Sequence, residues 1–278
     1  LASPDLLSRR IDALSRLAVG SRGIVVAPYA GVRKLVPPPR VFAESRVELS
    51  VGQELPLEAF VRRLSEIGYE RAERVERPGE MAVRGGIVDF FPLNEPLPYR
   101  VEWFDDEIDS IRTFDPADQR SVDKRTQITV WPARETVADG KRLQQAAMQV
   151  ADRLEEQLGK MTDRLAKERL RETILHDVER LREQASFTDI YKYIAVLYPE
   201  RTTLFDYMPD DTLLFIDEPL RLIETARQMD RDEGEMIADM LAAGKMLPGT
   251  ELAKSMDEVL HAKPFQTVYL SLFLRQVP

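Results

Sequence analysis

Cysteine is missing from this sequence, and histidine occurs only twice in 278 residues. Without cysteine the chain can form neither a disulfide nor a thiolate metal site, which suits a reducing compartment. His176 and His261 lie far apart in the sequence and have no second histidine or cysteine nearby, so a zinc site is not expected. We therefore predict that this chain binds no metal and no cofactor.

Long apolar runs are also missing. No stretch approaches the roughly 20 apolar residues that a helix needs to cross a bilayer. The first residues lack the charged segment and the following apolar stretch of a secretory signal. We expect a cytoplasmic protein with no membrane partner. Since the chain starts at Leu1 rather than at an initiator methionine, we also expect it to be a fragment of a longer protein.

The charge balance is acidic, with a formal net charge of -9 at pH 7. Nucleic-acid binding favours a basic face, so this balance argues against a chain that binds DNA over much of its surface. Residues 160–182 are rich in arginine and lysine, but acidic residues lie between them. That mixture is typical of a solvated helix face with ion pairs. Direct contact with the DNA backbone stays a weak alternative.

A phosphate-binding loop is a further absence. It requires Gly, four residues, and then Gly-Lys followed by Ser or Thr, so that backbone N–H groups and the lysine surround the phosphates. Gly244-Lys245 is followed by Met246, and Asp239 stands where the first glycine of such a loop would be. We predict no ATPase activity for this chain. A Gly-x-Ser-x-Gly nucleophile elbow is missing as well.

The middle third of the chain has a strand-turn-strand pattern. Gly85 and Gly86 lie between two short runs, residues 81–84 and 87–91, and paired glycines tolerate the positive φ angles that a tight hairpin requires. Apolar and polar residues alternate over residues 99–104, and apolar positions continue beyond them. This alternation predicts two further antiparallel strands with one buried face.

Helical spacing of apolar residues flanks this sheet pattern. It runs over residues 57–67, and Gly68 stands where a helix C-cap would fall, so we expect one helix to pack on the sheet. Residues 4–17 predict a helix near the start of the chain. Residues 136–185 predict long helices with an interruption at Gly159.

Two short apolar runs, residues 23–27 and 212–216, predict buried strands of an α/β domain. The second run ends at Asp217 and Glu218, as a parallel strand ends at the carboxyl edge of its sheet. Pro219 follows, which favours a helix that begins here with a carboxylate as its N-cap.

The order and spacing of residues in the middle third resemble those of a known family. The similarity covers residues 68–71, 83–92, 100–102, 106–112 and 118–121. These motifs are similar to the second domain of the excision-repair protein UvrB and, more closely, to the same module in bacterial transcription-repair coupling factors (Mfd). Because both families use this domain to bind UvrA, the damage-recognition ATPase of nucleotide excision repair, the resemblance implies UvrA as the partner.

A weaker similarity extends to the first domain of the same proteins, which is split in sequence. It covers residues 41–45, 191–194 and 203–219. The implied fold is α/β and α+β, a degenerate helicase-like α/β domain with an inserted small domain of mixed β-sheet and helix. The resemblance implies three segments. Residues 1–45 are the first part of the α/β domain, residues 46–134 are the UvrA-binding module, and residues 135–278 are a helical segment after which the chain returns to the α/β domain.

The resemblance also implies which residues bind UvrA. The UvrB-family surface is built around arginines, and residue-for-residue matching places the first on Arg71 and the last on Arg84. Ala82 stands where UvrB commonly has a further arginine. Phe91 matches an aromatic position and is a candidate apolar anchor, with core packing as an equally good interpretation. For Arg84 the alternative interpretation is a sheet-surface arginine in an intramolecular ion pair.

At the strand end, Asp217 and Glu218 are interpreted as a degenerate Walker B-like pair. ATPases of this superfamily use such a pair to hold the magnesium of the nucleotide, but no phosphate-binding loop accompanies it here. The resemblance implies that this region is a degenerate ATPase module. It also implies that the working motor of an ATP-dependent DNA translocase lies elsewhere in the parent protein. We expect no catalytic residue in this chain.

We therefore expect an interaction module that recruits UvrA in transcription-coupled repair. The resemblance implies that the parent protein also binds RNA polymerase and double-stranded DNA, and that a C-terminal domain masks the UvrA surface as an autoinhibitory contact. One alternative is a fragment of UvrB itself, a helicase-like enzyme of damage verification, which the missing phosphate-binding loop disfavours. A second is weak binding to the DNA backbone, which the acidic balance disfavours.

Overall fold

The computed structural model describes residues 4–183 and 187–272. The chain divides into two compact units. The first, called the sheet unit, lies within residues 1–21 and 39–139. The second, called the helical unit, lies within residues 22–38 and 140–278.

Antiparallel pairing dominates the sheet unit. Its strands are β1 (Val47–Ser50), β2 (Glu70–Arg71), β3 (Glu80–Arg84), β4 (Ile87–Phe90), β5 (Tyr99–Phe104), β6 (Glu107–Phe114), β7 (Ser121–Arg125) and β8 (Gln127–Val130). Strands β2 to β7 form one sheet in chain order, in which only the β2–β3 pair is parallel. Strands β1 and β8 form a separate antiparallel pair. The strands predicted around residues 81–91 and 99–111 are confirmed.

The β3–β4 hairpin turns at Gly85 and Gly86, as the sequence predicts. Arg84 and Ile87 face each other across the turn, and Gly85 has a φ of 58°, which lies in the left-handed region that glycine enters without steric cost. The carbonyl of Gly86 accepts a hydrogen bond from the N–H of Trp103 at 2.8 Å. This bond ties the hairpin tip to β5.

Helix α4 (Leu57–Glu66) covers one face of the sheet. The ring of Phe60 lies 5.5 Å from the rings of both Phe90 and Trp103, which places the apolar stripe of the helix against β4 and β5. Gly68 follows the helix with a φ of 102°, so the predicted helix and its terminal glycine are confirmed. Helices α1 (Pro4–Ala18) and α3 (Pro39–Glu44) complete the unit, and α1 confirms the helix predicted near the start of the chain.

Two long helices, α5 (Gly140–Lys160) and α6 (Arg164–Arg182), pack together in the helical unit. Asp163 caps α6, because its side chain accepts hydrogen bonds from the N–H groups of two residues in the first turn. The predicted interruption at Gly159 falls in the last turn of α5, one residue before the helix ends. The predicted long helices are therefore confirmed over residues 140–182, and the last two residues of the predicted range, 184 and 185, lie outside the described residues.

The rest of the helical unit combines a third long helix, α8, and several short helices with a small parallel sheet. Its elements are α2 (Tyr29–Arg33), a 3-10 helix (Thr188–Tyr193), α7 (Ile194–Leu197), a second 3-10 helix (Leu204–Tyr207), β9 (Leu213–Asp217), α8 (Pro219–Ala242), α9 (Met256–Leu260) and β10 (Gln266–Leu270). Strands β9 and β10 pair in parallel. The combination of this unit with the sheet unit confirms the mixed α/β and α+β fold class.

The strand predicted over residues 23–27 is wrong. Ile24 and Val26 are 96% and 92% exposed, and the segment belongs to no β-ladder in the described chain. An apolar run becomes a strand only where a neighbour takes up its backbone hydrogen bonds, and β9 forms its ladder with β10 instead. The strand predicted over residues 212–216 is present as β9. Its burial was also predicted wrongly, because Phe215 is 56% exposed.

The two units group residues differently from the three segments expected from sequence, since α1 and α3 pack within the sheet unit. The segments 1–45, 46–134 and 135–278 are expected domains, whereas the two units are groups of residues in contact. The division into these three domains therefore stays a proposal. Within residues 4–183 and 187–272, no helix has the length and apolar character that a membrane crossing requires.

Candidate partner-docking surface

The six-stranded sheet has one apolar and one polar face. Side chains on neighbouring strand residues point to opposite faces, and residues paired across strands share a face. Val88 and Phe90 of β4 therefore share the buried face with α4. The opposite face, called the polar face, carries Arg84 of β3, Asp89 of β4, Arg100 and Glu102 of β5, and Ser110 and Arg112 of β6.

Asp89 lies at the centre of the polar face. Its side chain is 1% exposed, yet it carries a carboxylate. Arg100 binds this carboxylate with two hydrogen bonds, from Nε to Oδ1 at 2.8 Å and from Nη2 to Oδ2 at 2.8 Å. Arg84 adds a third bond, from Nη2 to Oδ2 at 3.0 Å. Burial of a carboxylate is costly unless its oxygens are paired, and here both oxygens are.

The strand register explains this arrangement. Asp89 lies directly opposite Arg100 in the β4–β5 ladder and opposite Ala82 in the β3–β4 ladder. The small side chain of Ala82 leaves the far side of the carboxylate to Arg84, two residues further along β3. Hydrogen bonding to Asp89 raises the pKa of the Arg100 guanidinium further above its ordinary value, so this cation stays charged throughout the working pH range.

Arg100 is fixed by further contacts. Its guanidinium lies 4.6 Å from the centre of the Phe114 ring, a cation–π arrangement. It also donates to the carbonyl oxygen and to the side-chain Oε1 of Gln119, both at 3.3 Å. With partners on three sides, Arg100 has little freedom to turn toward solvent.

A second group of ionic side chains on the polar face lies beside Asp89 and its two arginines. Glu102 accepts hydrogen bonds from Nη2 of Arg112 at 2.7 Å and from Oγ of Ser110 at 2.9 Å. All three side chains are partly exposed. The polar face is therefore a mixed-charge surface, in which each of the three guanidinium groups named above already has a carboxylate partner.

Arg84 differs from the other arginines of this face. Its side chain is 53% exposed, and the bond to Asp89 is the one hydrogen bond that the described residues give it. A guanidinium has five N–H donors, so most donors of Arg84 have no partner among the described residues. Both interpretations reached from sequence apply in part, since Arg84 is in an intramolecular ion pair and is also open to a partner.

Arg71 lies on the short edge strand β2, opposite Met81 of β3. It is exposed, and within the described part of the chain no carboxylate pairs with it. Its position at the sheet edge makes it accessible to a partner. The role of Arg71 in docking stays a proposal.

Phe91 follows β4 and is 7% exposed. It packs in an apolar cluster with Val75, Ala82 and Phe114. This packing leaves little of the ring for a partner to touch, so the structure favours a supporting role over that of an exposed anchor. Ala82 is buried in the same cluster.

Asp217 and Glu218 lie at the end of β9, in the helical unit. Glu218 has a φ of 48° and precedes α8, but its side chain caps no N–H group of that helix. Instead its Oε1 accepts a hydrogen bond from the N–H of Leu272 at 2.7 Å. The helix-capping interpretation is therefore wrong for Glu218, because the carboxylate turns toward the chain after β10. Asp217 is exposed. A degenerate Walker B-like origin of the pair stays a proposal.

Sequence reasoning did not select Asp89 or Arg100 as site residues. A usable signal existed, because a carboxylate between Val88 and Phe90 breaks an apolar strand, and Arg100 alternates with apolar residues on the next strand. What could not be read from sequence was the register that places the two side chains opposite each other.

Comparison with known proteins finds a family model that matches this part of the chain. Residues 47–135 match the family described as the UvrB interaction domain. The whole chain is similar to transcription-repair-coupling factors, at 38% identity over 277 residues for that of Bacillus subtilis (strain 168) and 30% over 279 residues for that of Staphylococcus aureus (strain MRSA252). These alignments cover 100% and 99% of the chain and 24% of each relative. The chain therefore spans about a quarter of the length of these relatives.

Proposed function

Because residues 47–135 match the UvrB interaction domain family, in a chain that is similar over its whole length to transcription-repair-coupling factors, we propose that this chain recruits the excision-repair protein UvrA. The sheet unit is the docking module, and Arg84 is its central contact. The single observation that carries the proposal is the exposed guanidinium of Arg84 on the polar face of a domain from this family.

Arginine suits such a contact. A guanidinium is planar, stays charged at every working pH, and can make two parallel hydrogen bonds to one carboxylate. Arg84 has one donor bound to Asp89, and its other donors can reach a carboxylate of UvrA. Arg71 supplies a second positive charge at the sheet edge. Phe91 supports the strand through its packing with Val75, Ala82 and Phe114.

The remaining roles concern the parent protein. We propose that it acts in transcription-coupled DNA repair in the cytoplasm, binds RNA polymerase and double-stranded DNA, and masks the UvrA surface with a C-terminal domain until repair begins. ATP-driven translocation on DNA belongs to other parts of that protein, and this chain contributes no ATPase of its own. The relatives named above are coupling factors, which favours this assignment over a fragment of UvrB.

The test is a calorimetric titration of the full 278-residue chain with purified UvrA. We expect Arg84→Ala to weaken binding by about 2–5 kcal/mol, the usual cost of truncating one partner of a desolvated charge pair. Arg164→Ala is the matched control, because Arg164 is an exposed arginine on α6 in the other unit. Normal binding by Arg84→Ala and Arg71→Ala, each with an unchanged circular dichroism spectrum, would remove the proposal.

A further inference from the structure

Asp89 is a buried carboxylate that two arginines share. It accepts two hydrogen bonds from Arg100 and one from Arg84, and its side chain is almost fully enclosed. Two cations and one anion leave one net positive charge on this group of three, which is called the Asp89 triad.

The two arginines of the Asp89 triad have different surroundings. Arg100 is 18% exposed and is held by the Phe114 ring and by Gln119 as well as by the carboxylate. Arg84 is mostly open to solvent, and Asp89 is its single hydrogen-bond partner among the described residues. Arg100 therefore balances the buried charge, whereas Arg84 is oriented by it.

We propose that Asp89 is the positioning residue of the docking surface, whose buried carboxylate holds the Arg84 guanidinium in place with its remaining donors directed at a carboxylate of the partner. This inference rests on the proposed function, because it assigns a role to Asp89 within that site. Asp89 itself makes no contact with the partner.

Preorganisation is the physical basis of this role. An exposed arginine at a hairpin end has many rotamers, and a partner that binds it must restrict them at an entropic cost. Asp89 restricts them in the free protein, because its own position is fixed by the strand and by two bonds from Arg100. Since Arg100 already neutralises Asp89, the positive charge of Arg84 stays available to a partner.

A double-mutant cycle separates this role from a merely structural one. The four proteins are the natural chain, Arg84→Ala, Asp89→Asn, and the double variant, each titrated with purified UvrA. We expect Asp89→Asn to weaken binding about tenfold, or about 1.4 kcal/mol, when Arg84 is present and to have no further effect when Arg84 is alanine. Equal losses in both backgrounds would overturn the proposal, because they would show that Asp89 does not act through Arg84.

A second measurement needs neither a partner nor a variant. Nuclear magnetic resonance relaxation of the arginine Nε–Hε groups in the natural chain reports how ordered each guanidinium is. We expect Arg84 to be clearly more ordered than Arg164, which is more exposed and pairs with a neighbour on the same helix. Equal disorder at the two arginines would also overturn the proposal, even if Asp89→Asn fails to fold.

The outcomes distinguish the two proposals. If Arg84→Ala binds UvrA normally, the proposed function fails at this surface. If Arg84→Ala binds weakly but Asp89→Asn binds normally, the function stands and the positioning role fails. Asp123→Asn serves as the matched control, since Asp123 is exposed on β7 and lies outside the Asp89 triad.

Discussion

Arg71 lies opposite Met81 in the parallel register of β2 and β3, so its side chain leaves the sheet on the face that Met81 shares with α4. Arg84 stands three residues after Met81 on the same strand and therefore leaves on the polar face. The two proposed contact arginines project from opposite faces near one edge of the sheet. A partner that binds both must wrap around the β2 edge rather than lie flat on one face.

This geometry predicts that Arg71 and Arg84 act independently in docking. Three residues of β3 separate Arg84 from Met81, the residue opposite Arg71, which is about 10 Å at about 3.3 Å per residue, and substitutions at least this far apart usually add. We expect the loss of UvrA affinity in the Arg71→Ala, Arg84→Ala double variant to equal the sum of the single losses within about 0.5 kcal/mol. Isothermal titration of the three variants measures this. A coupling above about 1 kcal/mol would mean that the two side chains share one contact.

The contact of Phe60 with Phe90 and Trp103 predicts a large loss of stability on truncation. Phe60 is fully buried at the centre of the α4–sheet interface, and removing a buried phenylalanine ring costs about 3–5 kcal/mol. Phe60→Ala should therefore lower the free energy of unfolding of the sheet unit by that amount in urea titrations. Phe104→Ala is the matched control, because Phe104 is 75% exposed on β5 and should cost less than about 1 kcal/mol. Similar losses in the two variants would contradict the packing described.

The φ of 58° at Gly85 predicts a graded series of substitutions at the hairpin tip. Outside Gly85 and its two chain neighbours, no heavy atom lies within 4 Å of a Cβ added there, so the cost comes from backbone conformation and not from a clash. Gly85→Ala should destabilise the sheet unit by about 1–2 kcal/mol, the usual cost of a left-handed L-residue. Gly85→Asn should cost less, because asparagine tolerates this region. Thermal unfolding of both variants checks the order, and a reversed order would show that the turn has a different conformation.

Local signals were enough to predict the elements around this surface, but its central contact depended on register. Paired glycines predicted the turn at Gly85, because the required φ is a property of one residue. The role of Asp89 could not be predicted, because it depends on which residue of β5 lies opposite it. The strand prediction for residues 23–27 failed for a related reason, since an apolar run does not specify whether a neighbouring strand exists. Phe91 was ambiguous in sequence because an aromatic residue serves equally well in a core or at an interface.

The environment of Tyr99 predicts loss of stability at alkaline pH. Burial raises the pKa of Tyr99 to about 12, and the nearby Glu95 carboxylate adds to this shift. Because the folded protein holds this phenolic proton more tightly than the unfolded chain, whose tyrosine pKa is about 10, the stabilisation is complete below about pH 10. It is lost progressively as pH rises from about 10 through about 12. Tyr99→Phe removes the titrating group, so its stability should fall less over this window than that of the natural chain.

Tryptophan fluorescence suits this measurement, because both tryptophans of the chain, Trp103 and Trp131, lie in the sheet unit. Urea unfolding followed by this signal at pH 8 and pH 11 gives the loss of free energy for each protein. Tyr269→Phe is the control, since Tyr269 is exposed in the helical unit, and it should lose as much stability as the natural chain. If Tyr99→Phe and the natural chain lose equal amounts, the tyrosine is not the group whose ionisation weakens the sheet unit. Alkaline destabilisation would then have to come from other buried groups, among which Tyr69 also has a pKa that burial raises.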